Sequence, residues 1–223
     1  EPWISKQAIK EFPDAKALLE TDAFKNLPDY SPNQTFEGFT QRVQQLLDNE
    51  PGFLQKWYLP ETQTTWNEVN VPNKWKDGDL ANFDGSVWYK KTFIIENSIS
   101  TNANLSLGLI DDMDEVWVNG NFIGKSKYFE NYRNYQISSD NLHKGENTIV
   151  IRITDTGGEG GFLSRNEDIF LQVGSKKINL SGSWQYKIGI AIPTEMLKQK
   201  DPNSYPTTLN NAMIQPLKQY GIK

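Results

Sequence analysis

Three groups of residues in this 223-residue chain have the types and spacing to do chemistry. The first is the acidic run Asp111-Asp112-Met113-Asp114-Glu115. Alternate residues of a β-strand share a face, so Asp112 and Asp114 would stand about 6.5 Å apart at about 3.3 Å per residue. That approaches the roughly 6.5–9.5 Å between the carboxyls of an inverting glycosidase. Such enzymes, however, set their carboxylates on opposite sides of the scissile bond, and these two come from one strand. Capping of turns at the strand edge is the favoured role. Hard cations take several carboxylate oxygens, but the spacing does not match an EF-hand loop.

The second group is Asp155-Thr156-Gly157-Gly158-Glu159-Gly160-Gly161-Phe162. No Lys-Ser/Thr pair follows it and no helical pattern begins after it, so it is not a P-loop. Four glycines around Glu159 open backbone conformations closed to other residues. They suit either a tight loop ending a central strand or close approach to a ligand or another domain. The third group is Tyr132-Arg133. Arg133 has two partners in view: Asp112 or Asp114 in a structural ion pair, or a sugar carboxylate held bidentately. The structural pairing is favoured, because a buried arginine seldom lacks an acidic partner.

Other chemistries are poorly supplied. The one histidine, His143, sits in the polar turn Asn141-Leu142-His143-Lys144-Gly145 and reads as a solvated turn residue rather than a triad base. No serine stands in a G-x-S-x-G elbow, and the chain has no cysteine for a thiol nucleophile or thiolate site. Twenty-eight acidic against 23 basic side chains leave a formal charge of −5, which argues against a nucleic-acid binder. No apolar run approaches the roughly 18 residues that span a bilayer, and residues 1–16 lack a signal-peptide apolar stretch. The sequence opens on Glu-Pro-Trp-Ile without a methionine and reads as a piece of something longer.

The elements that must position these groups change character along the chain. Residues 1–52 read helical: short patterns at 4–12 and 17–19, then Phe36, Phe39, Val43, Leu46 and Leu47 on one face. Asp48 to Gly52 stop that helix with turn chemistry. From about Trp57 the period becomes two. Strands are expected at 63–71, 86–95, 104–109, 114–118, 121–123, 132–137, 147–155, 168–173 and 177–188. Strands this short, separated by Gly, Asn, Asp and Pro, predict an all-β antiparallel sandwich. Asn119-Gly120 predicts a two-residue hairpin, and Gly145-Glu146 a turn into a Val/Ile-rich strand. Beyond Pro193 a helical pattern returns, with Leu209, Met213 and Leu217 in step. Aromatic residues make up 12% and fall mostly in the alternating runs, where they fit a sandwich core or a sugar-stacking face.

Several runs carry a resemblance. Val71-Pro72-Asn73-Lys74-Trp75, the stretch from Asp84 to Phe93, the stretch from Ile110 to Gly120, and Asn131-Tyr132-Arg133 are similar to the sugar-binding jelly roll of family 2 glycoside hydrolases. Adding the glycine run, Leu180-Ser181-Gly182-Ser183-Trp184 and Asn211-Ala212-Met213-Ile214-Gln215-Pro216-Leu217, the chain resembles bacterial sialate O-acetylesterases. In these a galactose-binding-domain-like jelly roll is inserted into an SGNH-type hydrolase. That resemblance implies residues 1–52 as a helical linker from the catalytic domain, 53–190 as the jelly roll and 191–223 as the return segment. It implies acetyl-ester hydrolysis by a longer chain whose serine and Asp–His pair lie outside this piece, so this piece alone is expected to be inactive. It further implies a periplasmic or secreted setting, an O-acetylated sialic acid or other glycan as ligand, and a catalytic domain as intramolecular partner. Cofactors and metals are not implied. Candidate ligand or domain contacts are Trp88, Asp112, Asp114, Tyr132, Arg133, Asp155 and Glu159. The alternatives are the sugar-binding domain of a family 2 β-glycosidase and a purely structural insert.

Overall fold

In a computed structural model of the chain, residues 36–197 are described. The chain divides into two compact units, one of them Gln41–Leu197, which holds every strand among the described residues. The other is described only over residues 36–40, the first residues of a helix. The helical patterns expected at 4–12, 17–19 and 209–217 lie outside the described residues.

Helix α1 (Phe36–Asp48) follows the expected apolar spacing, and the turn after it leads into the short helix α2 (Pro51–Leu54). Eleven strands follow: β1 (Asn67–Val71), β2 (Gly85–Ile95), β3 (Ala103–Asp111), β4 (Met113–Val118), β5 (Asn121–Ser126) and β6 (Tyr132–Ile137), then β7 (Gly145–Asp155), β8 (Gly161–Phe162), β9 (Ile169–Val173), β10 (Lys176–Asn179) and β11 (Gly182–Ala191). A single turn, α3 (Thr194–Leu197), closes the described chain. All named pairings are antiparallel. One sheet runs β1-β11-β2-β7-β4-β5 and the other β10-β9-β3-β6, with β8 beside β3. The fold is the expected all-β antiparallel sandwich. Among the described residues no helix is long and apolar enough to cross a membrane.

The alternating pattern explains the core. Val87 and Tyr89 of β2, Ile149, Ile151 and Ile153 of β7, and Val116 and Val118 of β4 point one way. They meet Leu105 and Leu107 of β3 and Ile169 and Leu171 of β9 from the other sheet. Each such side chain contributes about 1.5–3 kcal/mol on burial. The intervening residues of the six-stranded sheet are also buried. Trp88, Trp117 and Val150 form a second apolar cluster with Trp57 on the outer face, and Phe53, Tyr58 and Trp66 pack against it. The polypeptide between α1 and β1 therefore covers that face.

Three expectations about elements are corrected. The stretch 177–188 is two strands, because after Leu180 the chain leaves one sheet and joins the other; Trp184 Nε1 donates to the Leu180 carbonyl (2.6 Å) across the corner. Phe162 forms the short strand β8, which no alternation announced. Asp112 and Asp114 do not share a strand face: β3 ends at Asp111 and β4 begins at Met113, so the chain changes sheets at Asp112. The hairpin at Asn119-Gly120 forms as expected, with φ of 48° and 82° at its two residues.

Candidate functional site

The β3–β4 crossing and the glycine run after β7 meet at one end of the sandwich. Asp111 Oδ2 accepts from the backbone amides of Glu159 and Gly160, both at 3.3 Å. Asp112 Oδ2 accepts from the Thr156 amide (3.0 Å) and hydroxyl (2.6 Å), and Asp155 Oδ1 accepts from the Gly157 amide (3.1 Å). Three carboxylates thus hold a loop whose glycines leave amides bare. They lie close together, each offering an oxygen within 4.8 Å of the others, a spacing at which they could share one cation. Burial, then the negative charge of Asp112, pushes the Asp155 carboxyl up to about 7. Burial, then its bond to Asp112, raises Asp111 as well.

The outer side of the loop is clamped by Glu159, which pairs with Lys74 (2.7 Å) and Lys76. The bond from Lys74, then that from Lys76, holds the Glu159 carboxyl below the usual range. Backbone bonds Trp75 N to Gly160 O (3.1 Å) and Phe162 N to Asn73 O (2.9 Å) complete the seam. Gly161 (φ 82°) lies so close to Trp75 and the Asn73 carbonyl that a Cβ would come within about 2.6 Å of that oxygen. Of the two readings of the glycine run, the tight loop at the end of a strand accounts for these contacts, since what it packs against is its own chain at Asn73 and Trp75.

Arg133, 1% exposed, is the hub on the other side of the crossing. Its Nε donates to Asp114 Oδ1 (2.6 Å) and Nη2 to the Asp112 carbonyl (2.8 Å). Nη1 donates to the carbonyls of Tyr128 (2.7 Å) and Asn131, fixing the β5–β6 loop. Asp114 also accepts from the Tyr135 hydroxyl. Burial raises the Asp114 carboxyl although the Arg133 charge pulls it down. Tyr132 stands on the surface, 55% exposed, with Tyr128 and Phe129 exposed beside it in sequence.

The sequence-derived candidates therefore separate. Asp112 and Asp155 meet at the loop, with Glu159 on its rim. Asp114 and Arg133 are buried against each other, Tyr132 is open to solvent, and Trp88 lies in the outer-face cluster. There it donates from Nε1 to Glu50 Oε1 (2.9 Å). Glu50, fully buried, also accepts from Ser86 and from Arg152 Nη1 (2.9 Å), and Arg152 Nη2 meets Glu115. The Arg152 guanidinium lies over Phe53 (5.5 Å) and Trp88 (5.4 Å). Sequence reasoning missed this network, although one signal was present: a lone arginine inside Thr148-Ile149-Val150-Ile151-Arg152-Ile153 must find an acid.

Comparison with known proteins fits this architecture. Residues 54–159 match the family model described as the beta-galactosidase second all-beta domain. A curated relative, a putative beta-glucuronidase of Formosa agariphila, is 28% identical over 172 residues, which is 71% of this chain and 14% of that protein. Over residues 54–159 the sandwich is thus similar to a β-domain of family 2 glycoside hydrolases, and the chain spans about a seventh of the length of that relative. Among solved structures, a β-glucuronidase from Ruminococcus gnavus aligns at 18% identity and a TM-score of 0.44 over 66% of this chain and 26% of that one. A GH2 β-galacturonidase from Eisenbergiella tayi aligns at 13% identity and 0.34, over 55% and 22%.

The family-model match and the curated relative overturn the expectation of a sialate O-acetylesterase, and with it the carboxylic ester hydrolase activity and the SGNH partner domain. The physical reason lies in the residues that carried the resemblance. Asp111-Asp112, Asn119-Gly120 and Gly160-Gly161-Phe162 build a sheet crossing, a hairpin and a loop seam. Residues that serve the fold in this way do not report the chemistry of the protein around it.

Proposed function

We propose that this chain is a non-catalytic β-sandwich domain of a larger β-glycosidase of the β-glucuronidase type. The observation that carries the reading is the 172-residue alignment to a putative beta-glucuronidase of which it covers 14%. Supporting it, the carboxylates that converge are engaged in holding the glycine loop. A glycosidase needs one on each side of the scissile bond, about 5–9.5 Å apart. In this reading the sandwich supplies a rigid wall beside the catalytic domain. The aromatic β5–β6 loop, held by Arg133, exposes Tyr128 and Phe129 at one edge of that wall. The experiment is kinetic: the full-length protein is compared with a form lacking residues 41–197, on p-nitrophenyl β-D-glucuronide. The reading expects turnover by the full-length protein and a lowered kcat/KM, with the aglycone bond still cleaved, when the sandwich is removed. A full-length protein that cleaves no β-glycoside defeats it.

A further inference from the structure

The outer face of the six-stranded sheet has a second feature. Between α1 and the β4–β5 hairpin lies a groove of about 470 Å³, where the covering segment stops short of the sheet edge. Its volume falls in the range of small-ligand sites, about 300–1,000 Å³. The floor is rigid. Trp117 stacks on Trp88 (5.3 Å, 21°) and on Tyr58 (5.3 Å, 16°). Phe122 stands edge-on to Trp117 at 5.7 Å and is 54% exposed, an apolar ring left in water at a hairpin edge. The wall that carries it is fixed, because Gly120 packs so tightly on Leu59 that a Cβ would come within 2.9 Å of it.

The rim is polar. Gln44 donates to Asp48 (2.9 Å) on the helix side. On the strand side Lys125 Nζ lies 3.9 Å from Glu115, beyond hydrogen-bond reach, so its ammonium keeps donor capacity facing the groove. An aromatic floor ringed by amide, carboxylate and ammonium groups complements a pyranose, which has one apolar C–H face and an edge of hydroxyls. The charges select further. Arg152 is shared by Glu50 and Glu115 beneath the floor, so with Asp48 and Lys125 at the rim three negative charges face two positive ones, a net charge of −1.

We infer that this groove binds a neutral pyranose unit of a glycan, with Phe122 as the stacking platform and Lys125 and Asp48 meeting hydroxyls. The choice of a sugar as occupant rests on the glycosidase reading, but the site would be separate from any catalytic centre and carries no hydrolytic step.

The test is an amide-shift titration of this chain with methyl β-D-glucopyranoside and, separately, with methyl β-D-glucuronide. Saturable shifts are expected for the amides of Tyr58 and residues 120–125 with the neutral glycoside, and several-fold weaker binding of the glucuronide. Phe122→Ala should weaken the neutral sugar about tenfold, the scale of one well-placed aromatic contact. Lys125→Ala, a surface change, should weaken it as well, and Phe129→Ala, an exposed aromatic on another loop, should not. The inference is overturned by the absence of saturable shifts in the groove, by wild-type titration of Phe122→Ala and Lys125→Ala, or by a glucuronide that binds as tightly as the neutral sugar. Because no turnover is read, failure here leaves the glycosidase reading standing. Loss of β-glycoside cleavage by the full-length protein would fail that reading instead.

Discussion

Arg133 and Asp155 show how single side chains set this sandwich's behaviour. Arg133 satisfies five backbone or carboxylate acceptors from the β3–β4 crossing and the β5–β6 loop. Arg133→Ala would leave Asp114 buried without its charge partner, a loss of about 3–5 kcal/mol for a broken buried pair. At roughly 2–4 °C per kcal/mol in a domain of this size, a thermal melt should fall by about 10 °C. An unchanged midpoint would show that the hub is dispensable. Asp155 works through protons. Its folded carboxyl is raised to about 7, against about 3.9 unfolded, so the folded state holds the proton more tightly. The associated stability is complete below about pH 4 and is lost as pH rises through about 7. Asp155→Asn keeps an acceptor for Gly157 and removes the charge, so its melting midpoint should gain on wild type between pH 5 and pH 8. A gap that stays constant over that range would contradict the assignment. At this scale the sequence told part of the story. That Arg133 would pair with an acid of the run was legible from residue types, but not whether Asp112 or Asp114; the side-chain partner is Asp114. The joining of Asp111 to the amides of Glu159 and Gly160 was not, because 48 and 49 residues of chain separate donor from acceptor.

Elements were more legible than contacts, for a reason of period. A sheet covered on one face alternates visibly, and β3, β6 and β9 read that way. Strand β2 is buried on both faces, by the sandwich on one and by Trp57 and α2 on the other, so its run of Val87, Trp88 and Tyr89 shows a strand without saying which side faces the core. The split of 177–188 was not legible because Leu180, buried at the corner, stays in step with the two-residue period that joins Ile178 to Trp184. The glycine loop is the element with the sharpest test. Gly161→Ala would drive a methyl group against Trp75 and the Asn73 carbonyl at a positive φ, whereas Gly174→Ala, also at positive φ, meets open space. Denaturant unfolding should show Gly161→Ala costing several kcal/mol and Gly174→Ala only about 1 kcal/mol. Equal losses would mean that backbone conformation alone, and not the Trp75 seam, governs the loop.

At the scale of the whole molecule, two apolar layers share one sheet, and the Glu50–Arg152–Glu115 network joins the covering segment to it. The acids that stood out in the sequence, Asp111, Asp112, Asp114 and Asp155, are engaged in holding the sandwich together. The comparisons, not the motifs, separated glycosidase from esterase. In the proposed function this sandwich serves a β-glycosidase without cleaving bonds itself. The most direct measurement is turnover of p-nitrophenyl β-D-glucuronide by this chain alone, beside the full-length protein at equal concentration. The account predicts release of p-nitrophenol by the full-length protein and a rate at the buffer blank for this chain. Saturable turnover by this chain, abolished by Asp112→Asn or Asp155→Asn in a variant that still melts as a folded protein, would contradict it.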